Sequence, residues 1–499
     1  MHSRKPKSDD VGYKKMNLVS SKLGILNSTT RIPFRYGSAC LTKCPQAVLR
    51  VEIREQGRTQ AGYSGDCLPP SWFDKSPDKD FRQQIDEMFQ VINMAQRTFT
   101  DVFRSGAEPE RFFDGWLSAH YAVHQEAQTL RFTPLLASFG VSLVERAMMD
   151  AYLRLRGIGL ATALKANVFG IVAGEVHPEL QGKQPVDWLP EEPTLEVYVR
   201  HTVGLGDPLT AAEIDEEERL DDGLPQSLEQ TIQQTGTQYL KIKLGNSLDH
   251  DIARLTTIAA LTERHRGGDY KLTLDGNELY KSAADFDELI AAIESNESLQ
   301  VLWGNTLAIE QPLARHIALE EEQTRGIRQL SQQKPVIIDE SDGELHSYSK
   351  AIELGYRGVS SKNCKGPIRS ILNAGLTWNQ NLANPRPAYI MTGEDLCSVG
   401  VIPTQADLCL ASCLGLTHVE RNGHHYHPGL TYLPAQERDA AVAAHGDFYT
   451  RRGDMIVPHL RNGKFEIGSL HGVGFGFQVL PDMEARQSPD EWQFESLGL

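Results

Sequence analysis

Five short apolar runs in the middle of the chain each lead into residues able to carry charge. They are Lys241-Ile-Lys243, Asp275-Gly-Asn277, Glu310-Gln-Pro312, Asp339-Glu-Ser341 and Ser361-Lys362. Singly, each has an ordinary explanation: Asp-Gly makes turns, and an Asp-Glu-Ser stretch caps helices. Together they place three carboxylates at the ends of successive strands, where they would repel unless a cation sat between them. A hard dication such as Mg²⁺ takes oxygen ligands of this kind, which makes Asp275, Glu310 and Asp339 the candidate metal ligands. Lys241 and Lys243, two apart on a strand, share one face, and Lys362 arrives from a different run. A lysine held near a dication and other lysines has a depressed pKa, as a general base near neutral pH requires. Bases on two sides of a metal-bound substrate suit removal of a proton from one face and its return on either.

Positioning these residues calls for a regular alternation of strands and helices. Eight strand candidates occur: Leu195–Val203, Tyr239–Leu244, Tyr270–Leu274, Thr306–Ile309, Pro335–Ile338, Gly358–Ser361, Ala388–Met391 and Thr417–Val419. Amphipathic stretches such as Leu248–Arg266 and Ala283–Ser295 lie between them. Eight β/α repeats over 196–435 predict a closed (β/α)₈ barrel, an α/β fold whose active sites lie at the C-terminal strand ends. A doubly wound open sheet competes, but no GxGxxG loop opens any unit. Ahead of the barrel, residues 31–66 alternate as short strands should. Phe81, Ile85, Met88, Ile92 and Phe99 then recur at helical spacing after Ser76-Pro77, and further helices are expected at about 109–128 and 133–156, the last stopped by Gly157. Residues 26–195 thus read as an α+β unit ending in a proline-bearing linker (171–195), and 1–25 as a polar tail. Residues 436–499 read as a glycine-rich return that packs on the first unit.

With 499 residues the chain is long enough for a large core without staples. Lys plus Arg number 50 against 66 Asp plus Glu, a net charge of −16. That balance argues against nucleic acid and against an anionic membrane surface as partners. Neither an apolar leader nor a spanning helix is legible. The seven cysteines contain no CxxC and suggest buried thiols in a reducing compartment. A cytoplasmic enzyme is the expectation. The cluster His424-His425-x-His427 after the eighth strand is read as a barrel-rim loop with a substrate or structural role, a second metal being the alternative.

Taken in order and at repeat spacing, Lys241-x-Lys243, Asp275-x-Asn277, Glu310-Gln-Pro, Asp339-Glu-Ser and Lys362 resemble the enolase superfamily, specifically its mandelate racemase/muconate lactonizing branch. The resemblance covers most of the chain and implies an N-terminal α+β capping domain completed by the C-terminal segment. It implies abstraction of a proton α to a carboxylate through an enolate, in a racemase, epimerase, cycloisomerase or syn-dehydratase. A Lys or His base working with Mg²⁺ is the established pattern of that superfamily. By that resemblance Asp275, Glu310 and Asp339 would hold Mg²⁺, with Glu340 the alternative third ligand. Lys243 and Lys362 would be the opposed acid/base pair, and Lys241 would tune Lys243. Lys365, three after Lys362, is the rival for its place. The seventh strand lacks the His of mandelate racemase and sugar-acid dehydratase types, which favours the lysine-type, muconate lactonizing-like subgroup. The Asp-x-Asp of dipeptide epimerases is replaced by Glu420-Arg-Asn422. Asn277, Lys365, Glu394, Glu420 and Tyr36 are expected near a small carboxylate substrate, with cap residues at Phe34–Tyr36 and Cys67–Trp72 closing over it. Three lysines, three carboxylates and Mg²⁺ would leave that pocket with surplus positive charge. A homo-oligomer would fit such a family. A sugar-acid dehydratase, or a non-catalytic metal-binding barrel serving as a scaffold, are the alternative readings.

Overall fold

Alternating apolar and polar residues from Leu18 to Cys67 build three long antiparallel strands in order β1-β2-β3: β1 (Asn17–Tyr36), β2 (Ala39–Glu55) and β3 (Arg58–Cys67). The computed structural model describes residues 15–36, 39–386 and 388–498. β1 starts at Asn17, inside the stretch expected as a polar tail. Met16, Leu18, Leu23 and Ile25 are buried there, and that apolar content is enough to add a strand to the sheet.

Three helices cover this sheet: α1 (Phe81–Val102), α2 (Phe112–Thr129) and α3 (Pro134–Arg156). α1 starts at Asp80 rather than at Ser76-Pro77. The Asp80 side chain accepts from the Gln83 amide and Gln83 answers at the Asp80 amide, a reciprocal cap. Ser76 instead bonds Asp74. α3 ends at Gly157 with φ of 66°, the left-handed closure expected of a glycine there. Every residue of α3 from Leu135 to Leu153 is buried, because the helix lies between the sheet and the barrel. On one side a Cβ at Gly62 of β3 would meet the Ala151 nitrogen at 2.1 Å, so strand and helix backbones touch. On the other, Ser138 donates to Gly343 and Glu145 Oε1 accepts from the Ile368 amide at 2.7 Å.

The barrel comprises β4 (Glu196–Val203), β5 (Tyr239–Lys243), β6 (Lys271–Asp275), β7 (Thr306–Glu310), β8 (Val336–Ile338), β9 (Gly358–Ser361), β10 (Ile390–Gly393) and β11 (His418–Glu420). All eight are parallel, in sequence order, and β11 pairs with β4 to close the ring. The two helices anticipated at Leu248–Arg266 and Ala283–Ser295 lie between strands as expected. Two more matter below: α4 (Pro367–Ala383) after β9 and α5 (Val401–Cys413) after β10. Residues 171–195 run through three short 3₁₀ turns, and Trp188 Nε1 donates to Ile371 of α4.

The C-terminal segment is tied to both units. After a hairpin of β12 (Tyr449–Arg452) and β13 (Met455–Pro458), β14 (Lys464–Glu466) pairs antiparallel with the first half of β4, while β5 pairs with its second half. Further on, Gln487 bridges Ile25 of β1. Buried Arg486 makes a two-pronged ion pair with Glu437 at 2.7 and 2.8 Å. Among the described residues no helix is long and apolar enough to cross a membrane.

Candidate active site

The barrel strands converge at their C-terminal ends on a pocket roofed by Phe34, Pro69, Trp72 and Lys75 of the first unit. Its floor includes Lys241, Lys243, Asn277, Asp339, Glu340, Lys362 and Glu420. Phe34 and Trp72 fall in the two cap stretches expected to cover a substrate. Tyr36 closes β1, and its side chain lies outside the described ones.

Lys241 sits at the centre, fully buried. Its Nζ is 2.7 Å from Glu310, 2.8 Å from Glu394, 3.1 Å from Glu420 and 3.2 Å from Asp275. Lys243 donates to Asp275 at 2.5 Å and to Asn277 Oδ1 at 2.9 Å. Asn277 has φ of 54° and its amide bonds the Asp275 carboxylate, so the Asp-Gly-Asn turn aims both side chains at Lys243. Across the mouth, Lys362 bonds Asp339 at 2.7 Å and lies over the Trp72 ring at 4.7 Å. Lys365 does not line the pocket. It is buried beneath Asp339, bonding that residue's carbonyl and carboxylate and Ser360.

The lysines differ from expectation in one respect. Burial works to lower the pKa of Lys241, Lys243 and Lys362, but the carboxylates around each outweigh it and all three are raised. Where a dication is expected beside the lysines, the ammonium groups themselves neutralise the acids. The surplus positive charge expected of the pocket also changes, because Glu394 and Glu420 add two carboxylates around Lys241.

Asp275, Glu310 and Asp339 stand on adjacent strand ends, and their oxygens are not among those that crowd within 4.8 Å of one another in the described residues. Their chemistry nonetheless fits a hard cation. Burial, with Asp275 and Asp339 adding to it, pushes Glu310 up to about 7 against the pull of Lys241. Glu310 Oε2 is buried and accepts no hydrogen bond, leaving an oxygen directed at no donor. Glu340 lies in the pocket beside Asp339, with its pKa raised by burial first and by Asp339 next.

Several residues were not read from the sequence. Arg200 of β4 is wholly buried, pairs with Glu394 and donates to the Gly393 carbonyl. Gln311 has φ of 36°; its amide donates to Leu313 and Ser341 and accepts from the Asp339 amide at 2.7 Å. The Gln of the Glu-Gln-Pro run thereby locks the end of β7 to the end of β8. Asp395 lines the pocket but is held by Arg421 and Asn422. The histidine cluster lies apart from this pocket. His424 and His425 pack on His201, and burial pushes His424 down to about 3, so these are neutral packed rings.

No family model and no curated protein matches the chain. Solved structures do. A dipeptide epimerase from Enterococcus faecalis V583, complexed with Mg and the dipeptide L-Leu-L-Tyr, superposes with a TM-score of 0.58 at 14% identity, covering 93% of this chain and 99% of that one. A muconate lactonizing enzyme from Mucobacterium smegmatis, complexed with muconolactone, gives 0.59 at 17% identity, over 95% and 100%. An N-succinyl Arg/Lys racemase from Bacillus cereus gives 0.59 at 16% identity, over 95% and 98%. The chain shares its fold with these proteins across nearly its whole length.

Proposed function

We propose that the chain is a Mg²⁺-dependent enzyme that abstracts the proton α to a carboxylate, as a racemase, epimerase, cycloisomerase or syn-dehydratase. One observation carries the reading. Lys243 and Lys362 line the same pocket from β5 and from the turn after β9, four strands apart in an eight-stranded ring and therefore on opposite sides. Paired bases facing each other across a small pocket suit a carbon acid held between them. The fold shared with an epimerase, a cycloisomerase and a racemase supports it further.

Asp275, Glu310 and Asp339 would hold Mg²⁺, which when bound supplies Lewis-acid polarisation of the substrate carboxylate. Lys243 takes or returns a proton at Nζ on one face and Lys362 does so on the other. Each works as a base only as the neutral amine, so its pairing with Asp275 or Asp339 has to loosen when substrate enters. Asn277 keeps Lys243 aimed, and Trp72 keeps Lys362 under the roof and away from bulk water. Lys241 remains charged and balances the acids around the reacting carboxylate. The seventh barrel strand leads into Glu394, paired with Arg200 of the first, and residues 389–395 hold no histidine, so the lysine-type reading stands ahead of a sugar-acid dehydratase. The substrate class that follows is a small carboxylate.

The test is exchange of the substrate α-proton in D₂O with Mg²⁺, screened over N-acylamino acids, dipeptides and sugar acids. Lys243→Ala should abolish exchange on one face while Mg²⁺ still binds. Exchange at the wild-type rate in that variant, or no exchange by the wild type with any carboxylate, would overturn the reading.

A further inference from the structure

Away from the barrel mouth, Cys409 and Cys413 project from the last turns of α5, four residues apart and so on one helical face. Their Sγ atoms and a ring nitrogen of His471, from a 3₁₀ turn of the C-terminal segment, all lie within 4.8 Å of one another. Among the described residues no other group of three His, Cys, Asp or Glu side chains is so closely gathered. Both thiols are buried, and all seven cysteines are free.

The imidazole is already oriented. Ser412 Oγ donates to the Thr194 carbonyl at 2.6 Å, so toward His471 Nε2, 3.1 Å away, it can only accept. That arrangement puts the ring proton on Nε2 and leaves Nδ1 as the bare nitrogen. Nδ1 is buried and makes no hydrogen bond of ordinary geometry, and the ring interacts with the Cys409 thiol. A fixed outer hydrogen bond with a free inner lone pair is the usual preparation of a metal-ligating histidine.

We propose that Cys409, Cys413 and His471 form a binding site for a soft or borderline dication, Zn²⁺ above all, which staples the C-terminal segment to helix α5. Two thiolates and a neutral imidazole suit Zn²⁺, and their charge cancels that of the ion, as a buried site requires. Binding would release both thiol protons. The ligand set differs in kind from the all-oxygen acids of the barrel mouth, so the two sites would select different metals.

The test uses the full chain stripped of metal and then given excess Mg²⁺ to satisfy the carboxylates. Titrated Co²⁺ should bind at one equivalent with a thiolate-to-cobalt charge-transfer band, which carboxylates cannot produce, and Zn²⁺ should displace it. Cys413→Ser and His471→Gln should weaken or remove the band. In case Cys413→Ser fails to fold, a second measurement uses the wild type. One equivalent of Zn²⁺ should protect Cys409 and Cys413 from oxidation and raise the unfolding temperature. A wild type without the charge-transfer band, a band that survives both substitutions, or thiol oxidation unaffected by Zn²⁺ would overturn the proposal.

Discussion

Lys241 is held by four carboxylates, and Glu310, Glu394 and Glu420 among them are themselves buried. Removing its charge strands those acids, a situation that costs about 3–5 kcal/mol when a buried pair is broken. Lys241→Met should therefore lower the stability in urea by that order, quite apart from any loss of activity. An unchanged midpoint would show that the acids are protonated without it. Lys362 and Lys365 should separate cleanly. Lys362→Ala should cut α-proton exchange on one face by about 10²–10⁴ with the fold intact, whereas Lys365→Ala should act chiefly on stability by releasing Asp339 and Ser360. Circular dichroism beside the exchange assay distinguishes the two. The strand-end acids and lysines were legible in the sequence because each follows an apolar run at repeat spacing. Arg200 was not, because it sits within a strand and its partner Glu394 is 194 residues away. Gln311 was hidden for another reason: its amide serves two backbones, and no spacing rule marks that.

At the scale of the element, α3 has the sharpest requirements. Gly62 lets β3 lie on it with no room for a methyl group. Gly62→Ala should cost roughly 3 kcal/mol through overpacking, seen as a lower unfolding temperature. On the opposite side, burial pushes Glu145 up to about 7 despite its bond from the Ile368 amide. Its folded pKa lies above the ordinary carboxyl value, so the folded state binds the proton more tightly. The stability it contributes is present in full below about pH 4.5 and is lost as pH rises through 7. Glu145→Gln should flatten the stability profile between those limits, on the order of 3 kcal/mol across the interval. A profile identical to wild type would show that Glu145 ionises freely in the fold. Helix periods and strand runs revealed these elements in the sequence, including Gly157 as the stop of α3. The start of α1 was misplaced because a reciprocal Asp80–Gln83 cap outcompetes the Ser76-Pro77 signal. That α3 is buried on all sides, not amphipathic, follows from the two units meeting there.

For the whole molecule, the decisive contacts are those of the C-terminal segment, which pairs with β4 and β1 and seals Arg486 against Glu437. Arg486→Met should destabilise by about 3–5 kcal/mol by leaving the buried Glu437 carboxylate without its counter-charge, and adding Glu437→Leu should recover most of it. If the single variant unfolds like wild type, the pair is not what secures this segment. The barrel and its eight repeats were readable because each repeat has its own local period. The return of the C-terminal segment toward the first unit was expected, but its particular pairings with β4 and β1 were not, since no local pattern records a pairing with the opposite end of the chain.

That pairing also governs how the protein can be made. Lys22 contacts Glu484, 462 residues further on, and Gln487 bridges Ile25 on the outer edge of β1. Contacts between such distant positions form late, because the chain entropy of closing the loop comes before any reward. During synthesis β1 would emerge from the ribosome long before its neighbour exists. Its exposed edge would then invite pairing with other nascent chains. Chaperone shielding of the N-terminal sheet until translation ends, rather than any weakness of the finished fold, is the step on which the yield of native protein should depend.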